Sequence, residues 1–161
     1  MSVGQRVASD HQLARLLQIG VVLEEVVEAR STRHHREMDE EFDPDLEALL
    51  QEAAEESAEH RRRLEGLIAE LDADSVSYDE IEALVEAQYG QTKPEDFDGV
   101  LYDQLCNEET AYKFYDDLIE AIQESDSEFS VDRDRVLDTL RSIRAEEAEG
   151  VEEVTAIMER R

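Results

Sequence analysis

The sequence is poor in basic residues and in cysteine. It has 16 Lys and Arg against 44 Asp and Glu among 161 residues, which gives a formal net charge of -28. Nucleic acids and anionic membrane surfaces are bound through clustered Lys and Arg, so this acidic balance excludes both as expected partners. The single cysteine, Cys106, excludes an intrachain disulfide, and no CxxC pair exists for a zinc ribbon or a rubredoxin-type iron centre.

Long apolar runs are also missing. The longest purely apolar stretch has three residues, whereas a membrane-spanning helix needs about 20. No stretch has the pattern of a secretory signal peptide. We therefore expect a soluble cytoplasmic protein.

Hydrophobic residues nevertheless make up 40% of the sequence and recur regularly, which indicates a folded chain despite the high net charge. The length fits one domain, residues 1–161. The surface composition, with two Lys and 14 Arg, resembles that of proteins from salt-in halophiles. At molar salt the Debye length falls to about 3 Å, and the repulsion between acidic groups is screened.

Four long segments carry apolar residues at the spacing of amphipathic helices. These segments, A to D, cover residues 9–40, 45–71, 93–124 and 131–158. A shorter helix is predicted over residues 78–89, between B and C. Strand-like alternation is absent, so the sequence predicts an all-α fold, a four-helix bundle with a long B-to-C connection of roughly 24 residues.

A few polar residues fall on the apolar faces of these predicted helices. Each residue turns an α-helix by about 100°, and on this basis Glu24, His60, Glu108 and Glu147 point inward. Glu59, next to His60, points outward. Tyr112 and Tyr115 follow Glu108 at one and two turns along the same face.

The heights of these inward residues agree with each other. Glu24 and His60 are equally far from residue 42, in the turn between A and B, and Glu108 and Glu147 are equally far from residues 127–128. Both distances come to roughly 27 to 29 Å at 1.5 Å per residue, near the middle of a bundle of this length. The sequence therefore predicts a single polar layer.

Three carboxylates buried in one layer require compensation, because an uncompensated buried charge costs several kcal/mol or takes up a proton. A divalent cation would supply it, and glutamate with imidazole suits iron, manganese or zinc. Protonated glutamates bonded to Tyr112, Tyr115, His60 or Ser57, or an interior that holds water, would supply it equally. These alternatives remain open on the residues alone.

The arrangement resembles the ferritin-like di-iron carboxylate bundles, which include the rubrerythrins. In that family A carries a Glu, B a Glu-x-x-His motif, C a Glu and D a second Glu-x-x-His motif. By position, Glu24 matches the terminal ligand of A, and His60 the histidine of B. Glu108 matches the terminal carboxylate of C, and Glu147 the bridging carboxylate of D.

Two motif positions differ from the family pattern. The B motif reads SAEH, with Ser57 in place of the bridging glutamate, and the D motif reads EAEG, with Gly150 in place of the second histidine. One metal position would keep Glu24, His60 and Glu147, and the other would keep Glu108 and Glu147.

The resemblance thus implies a metal-binding protein with a partly degraded dinuclear site. It would hold iron or manganese, either as a mononuclear centre or as an incomplete dinuclear one. The resemblance further implies an oxidoreductase that reacts with oxygen or peroxide. A separate protein would have to supply the electrons.

A metal-free structural or interaction bundle of the same fold is the alternative hypothesis. A histidine phosphotransfer bundle ranks last, because it needs an exposed histidine and His60 is predicted to face the core. The apolar edge formed by Ile19, Val22 and Val26 is a candidate dimer interface, or a wider core contact. His34 and His35 are expected on a solvated or interface surface.

Overall fold

The computed structural model describes residues 7–37, 44–73 and 97–160, together with residues 79 and 83. These residues form no strand and four long helices: α1 (Asp10–Glu37), α2 (Pro44–Glu70), α3 (Phe97–Glu124) and α4 (Arg133–Glu159). The predicted all-α fold and four-helix bundle are confirmed for this part of the chain. Apart from the helical residues 79 and 83, the short helix predicted over 78–89 lies outside the described residues.

Side chains close the helix ends that the sequence marks. The hydroxyl of Ser9 accepts a backbone N–H from the first turn of α1 at 3.2 Å, and Asp132 caps α4 in the same way at 3.1 Å. Arg133 donates to backbone carbonyls at the end of α3, including that of Ile122 at 3.2 Å. These bonds satisfy backbone groups that have no partner within the helix.

Asp10 joins three parts of the chain at one end of the bundle. Its carboxylate accepts the backbone N–H of Asp72, which follows α2, at 3.2 Å. It also accepts the backbone N–H of Ser130, which precedes α4, at 3.0 Å. The start of α1 is thereby fixed to the end of α2 and to the start of α4.

Neighbouring helices in the bundle run antiparallel. The chain neighbours α1 and α2 pack closely, as do α3 and α4, while α1 also lies beside α3 and α2 beside α4. Along α2 and α4 the paired residues run in opposite directions: Asp45 with Arg160, His60 with Glu146, and Glu70 with Arg135. It follows that α2 and α3 are parallel and lie diagonally across the bundle from each other. The last residue of α2 and the first residue of α3 are therefore at opposite ends of the bundle.

Two apolar clusters fill the interior, with a polar layer between them. The larger cluster contains residues from all four helices, among them Leu17, Leu64, Ile119 and Leu140. The smaller one lies toward the other end, where α2 begins and α4 ends, and includes Leu46, Leu50, Leu101 and Val154. The polar layer therefore lies inside the bundle, as predicted.

Three observations concern the apolar residues of the bundle. Met158, the last residue of the predicted segment D, is 37% exposed, whereas the residue before it, Ile157, is buried. Val22, from the proposed dimer edge, is buried within the chain itself, while the dimer stays a prediction. No helix in the described part of the chain has both the length and the apolarity needed to cross a membrane.

Candidate metal centre

His60 lies at the centre of the polar layer. Its side chain is only 1% exposed, and its Nδ1 atom is 3.2 Å from Glu24 Oε1 and 3.0 Å from Glu147 Oε1. The two carboxylates come from α1 and α4 and are themselves 1% and 5% exposed. We call Glu24, His60 and Glu147 the His60 cluster.

The His60 cluster has the spacing of a set of metal ligands. One ligand atom from each residue lies within 4.8 Å of the others. Ligands that bind a metal at about 2.0 to 2.2 Å are themselves separated by roughly 3 to 4 Å. The nitrogen-to-oxygen distances of 3.0 and 3.2 Å fall in this range.

Tyr115 holds Glu24 in place and leaves one of its oxygens unused. The Tyr115 hydroxyl donates to Glu24 Oε1 at 2.6 Å, and burial raises the pKa of this tyrosine well above its usual value, so it stays a neutral donor. Glu24 Oε2 is buried and has no hydrogen-bond partner among the described residues. A buried carboxylate oxygen without a partner is costly, which fits the binding of a cation at this atom.

The other ring nitrogen of His60 contacts Glu146. The Nε2 atom is 2.7 Å from Glu146 Oε2, and the Arg63 guanidinium holds the same carboxylate at 3.1 and 3.4 Å. Histidines that bind a metal usually donate their other N–H to such an acceptor, which fixes the tautomer and the ring orientation. Glu146 therefore directs Nδ1 toward Glu24 and Glu147.

The same contacts can also hold a protonated imidazole. Burial alone would lower the pKa of His60, but the hydrogen bonds to Glu24 and Glu146 and the charges of Glu24 and Glu56 outweigh burial and raise it. Glu56, 3.7 Å from Nε2, is partly buried, and burial raises its pKa to about 7. A proton on His60 and a metal ion at Nδ1 are thus alternative ways of compensating the acidic layer.

Glu108 lies beside the His60 cluster in a hydrogen-bonded chain. Gln104 Nε2 donates to Glu108 Oε1 at 3.0 Å, and the Ser31 hydroxyl donates to Gln104 Oε1 at 3.2 Å. Glu108 is also hydrogen-bonded to Glu147, and burial raises the pKa of both carboxyls. We call Ser31, Gln104, Glu108 and the adjacent Gly150 the Glu108 cluster.

The structure brings all four predicted site residues into one layer, and it places their neighbours as follows. Glu59 lies outside, as predicted, with its side chain 43% exposed and paired with Arg62. Tyr112 is exposed, so only Tyr115 of the two predicted tyrosines lies in the layer. The side chains of His34 and His35 lie outside the described residues.

A second buried network between α1 and α3 was not predicted. Arg30 donates to Asn107 Oδ1 at 3.1 Å and lies 3.6 Å from Asp103. All three side chains are buried. Arg30 therefore brings one positive charge into an interior that is otherwise strongly acidic.

The chain was compared with models of known protein families, with curated proteins and with solved structures, and none of them matches. The class that the coordinates define is a four-helix bundle with a buried cluster of carboxylates and one imidazole. Such a donor set suits iron, manganese or zinc and can hold one divalent cation.

Proposed function

We propose that this chain is a ferritin-like metal-binding protein that holds iron or manganese through Glu24, His60 and Glu147. One observation carries the proposal. Three ligand-type side chains from three helices converge within 4.8 Å, and the buried Glu24 Oε2 among them has no partner in the described part of the chain. A bound cation would neutralise the carboxylates and occupy that oxygen.

The topology supports the ferritin-like part of the proposal. Two antiparallel hairpins, joined by one connection between opposite ends of the bundle, match the description of ferritin-like folds with a single long crossover. Glu24, His60, Glu108 and Glu147 each match one ligand position of the family pattern on their helix, while Ser57 and Gly150 differ from it. This support is a resemblance of topology and residue position.

The reaction we propose is redox chemistry with oxygen or peroxide, which iron or manganese supplies when bound. Within the chain, Glu24 and Glu147 would neutralise the cation, and His60 would donate through Nδ1. Glu146 and Tyr115 would fix the orientation of these ligands through their hydrogen bonds. A homodimer and a separate electron donor remain predicted partners.

Metal analysis of the purified protein tests the proposal. The protein is purified without chelator, treated anaerobically with Fe(II) or Mn(II), desalted, and analysed for metal and protein. We expect close to one equivalent per chain, and the His60→Ala variant should retain almost none. Less than about a tenth of an equivalent in the unmodified protein would reject metal binding.

The second candidate is a metal-free structural bundle, and one observation favours it. His60 already lies within 3.7 Å of four carboxylates, those of Glu24, Glu56, Glu146 and Glu147, so a protonated imidazole can compensate the layer without metal. In that case chelator should leave the melting temperature unchanged. Under the metal-binding proposal, Fe(II) or Mn(II) should raise it through linkage to the folded state.

We also infer that the protein is adapted to a salt-rich cytoplasm, on the basis of its net charge of -28. Screening at molar salt would reduce the repulsion between its acidic groups. The melting temperature of the metal-free protein should rise between about 0.1 and 2 M KCl. A melting temperature that falls with added salt would contradict this adaptation.

A further inference from the structure

Gly150 lies where any larger residue would meet the carboxyl group of Glu108. A Cβ atom built at Gly150 would be 2.6 Å from both Cδ and Oε2 of Glu108, closer than real Cβ contacts. Gly66, an exposed helical glycine in α2, has nothing within 4 Å of the same position. The missing side chain at Gly150 therefore accommodates the Glu108 carboxylate.

Glu108 cannot leave this position without losing hydrogen bonds. The carboxylate is 5% exposed and bonded to Gln104, whose amide is oriented by Ser31, and to Glu147. A buried carboxyl group that moves away from such partners leaves polar groups unsatisfied. The position of Glu108 is thus set by three other side chains on α1, α3 and α4.

This packing closes the second metal position. A second ion would need ligands besides Glu108 and Glu147, but position 57 carries a serine and position 150 carries no side chain. The space at position 150 is filled by Glu108 itself. Ligand-type atoms within 4.8 Å of one another form two groups, Glu24 with His60 and Glu147, and Glu56 with His60 and Glu146, and Glu108 is in neither. Both groups use His60, and a neutral imidazole keeps a proton on one ring nitrogen, so it can bind a metal through only the other. On the Nε2 side, Glu146 is already held by Arg63, which leaves Nδ1 as the ligand atom.

We infer that the centre takes a single metal ion, and that Glu108 is a positioning residue, packed against Gly150, that supports Glu147 by hydrogen bonding. This inference rests on the proposed function and makes it more specific. Gly150 and Glu108 then form a matched pair, because the carboxyl group of Glu108 occupies the space that a larger residue at position 150 would fill.

A stability experiment on metal-free protein tests the packing. Replacing an exposed helical glycine with alanine normally stabilises, so Gly66→Ala should raise the melting temperature by roughly 2–4 °C. Gly150→Ala should lower it, because its Cβ displaces Glu108. In a Glu108→Ala background the same Gly150→Ala change should become neutral or stabilising, and this change of sign is a double-mutant coupling.

If Gly150→Ala stabilises as Gly66→Ala does, the space beside Gly150 is not filled and the inference is overturned. The same conclusion follows if Gly150→Ala is equally destabilising with and without Glu108. Neither outcome depends on metal, so the packing is judged separately from the proposed function.

A metal titration tests the role of Glu108. Glutamine at position 108 can accept from Gln104 through its carbonyl and donate to Glu147 through its amide, so Glu108→Gln should still bind one Mn(II) per chain. Its dissociation constant should stay within about threefold of the unmodified protein, since no ligand is lost. Glu147→Gln, the matched change in a proposed ligand, should weaken binding at least tenfold.

Two equivalents per chain, with one lost in Glu108→Gln, would overturn the single-metal inference while leaving metal binding intact. No binding in any of the three proteins would instead overturn the proposed function, and the inference with it. One equivalent in both the unmodified protein and Glu108→Gln, with Glu147→Gln weakened, is the result we expect.

Discussion

The polar layer consists of two halves that compensate buried carboxylates in different ways. In the His60 cluster, two glutamates contact one imidazole nitrogen, and Glu24 Oε2 has no partner among the described residues. In the Glu108 cluster, the carboxylate accepts from an amide, bonds to Glu147 and fills the space over Gly150. The His60 cluster thus has an unused ligand atom, Glu24 Oε2, whereas no buried polar side-chain atom of the Glu108 cluster lacks a hydrogen-bond partner in the described part of the chain.

This difference shows why a carboxylate alone does not define a metal site. A buried glutamate whose oxygens are held by neutral donors and packing is compensated without a cation. A buried glutamate that faces an imidazole nitrogen and keeps an unsatisfied oxygen, as Glu24 does, still requires a cation, either a metal ion or a protonated imidazole. Metal affinity should therefore depend on the His60 cluster far more than on Glu108.

The largest effect is expected for His60→Ala. It removes the only nitrogen ligand, so Mn(II) affinity should fall by more than the roughly 10–100-fold typical when an outer hydrogen-bond partner is lost. Helicity measured by circular dichroism should change little. The control is Glu59→Ala, one position away on the outer face of α2, which should keep full affinity; equal losses in both variants would refute the inward assignment of His60.

Glu147→Leu should separate metal binding from stability. The variant loses a proposed ligand, so its metal content should fall to near zero. In chelator its free energy of unfolding should be unchanged or higher by up to about 4 kcal/mol, because an apolar group replaces a buried carboxyl. A fall of many degrees in the melting temperature would instead make Glu147 a structural hydrogen-bond partner.

Glu146→Ala should have a smaller effect on affinity. The carboxylate accepts from His60 Nε2 but lies one-third exposed, so we expect Mn(II) affinity to drop by about tenfold through loss of ring orientation. Glu152→Ala removes an exposed carboxylate from the same helix and serves as the control. Identical titration curves for the two variants would show that Glu146 does not position His60.

The smallest effect is a pH dependence of the metal-free protein. Burial raises the pKa of Glu108 and Glu147, and raises that of Glu56 to about 7. A carboxyl with a raised folded-state pKa holds its proton more tightly in the folded chain, so stability falls as pH rises from the unfolded value of 4.5 through the folded one. Glu24 and Glu146 raise the pKa of His60 in spite of its burial. A raised pKa of this histidine also makes the stability of the folded state fall as pH rises.

The melting temperature in chelator should therefore be higher at about pH 5.5 than at about pH 8. The Glu147→Leu variant shows how much of this slope comes from the layer, because the charge of the surface is the same in both proteins. A slope that is identical in both would place the titration outside the polar layer.

Much of this layer could be predicted because it depends on helix geometry alone. Steps of about 100° per residue separate inward His60 from outward Glu59, and equal distances from a turn bring Glu24 level with His60. Local periodicity also identified the four helices, because apolar residues recur at helical spacing along each of them on both sides of the polar layer. These properties need no knowledge of how one hairpin packs on the other.

The remaining contacts depend on packing between the hairpins, which periodicity does not specify. Glu146 is next to Glu147 in sequence but about 100° away on α4, and it meets His60 only because α2 and α4 are neighbours. The close packing of Glu108 against Gly150 depends on the relative height of α3 and α4 to within about an ångström. The placement of Tyr115 inside and Tyr112 outside likewise depends on which neighbours α3 contacts.

The most direct test of the account is anomalous scattering from crystals of protein purified without chelator and supplied with Mn(II) or Fe(II). We predict one peak per chain, within about 2.3 Å of His60 Nδ1 and of one oxygen each from Glu24 and Glu147. A structure at full metal supply with no peak there, and with His60 still in direct contact with both glutamates, would contradict it.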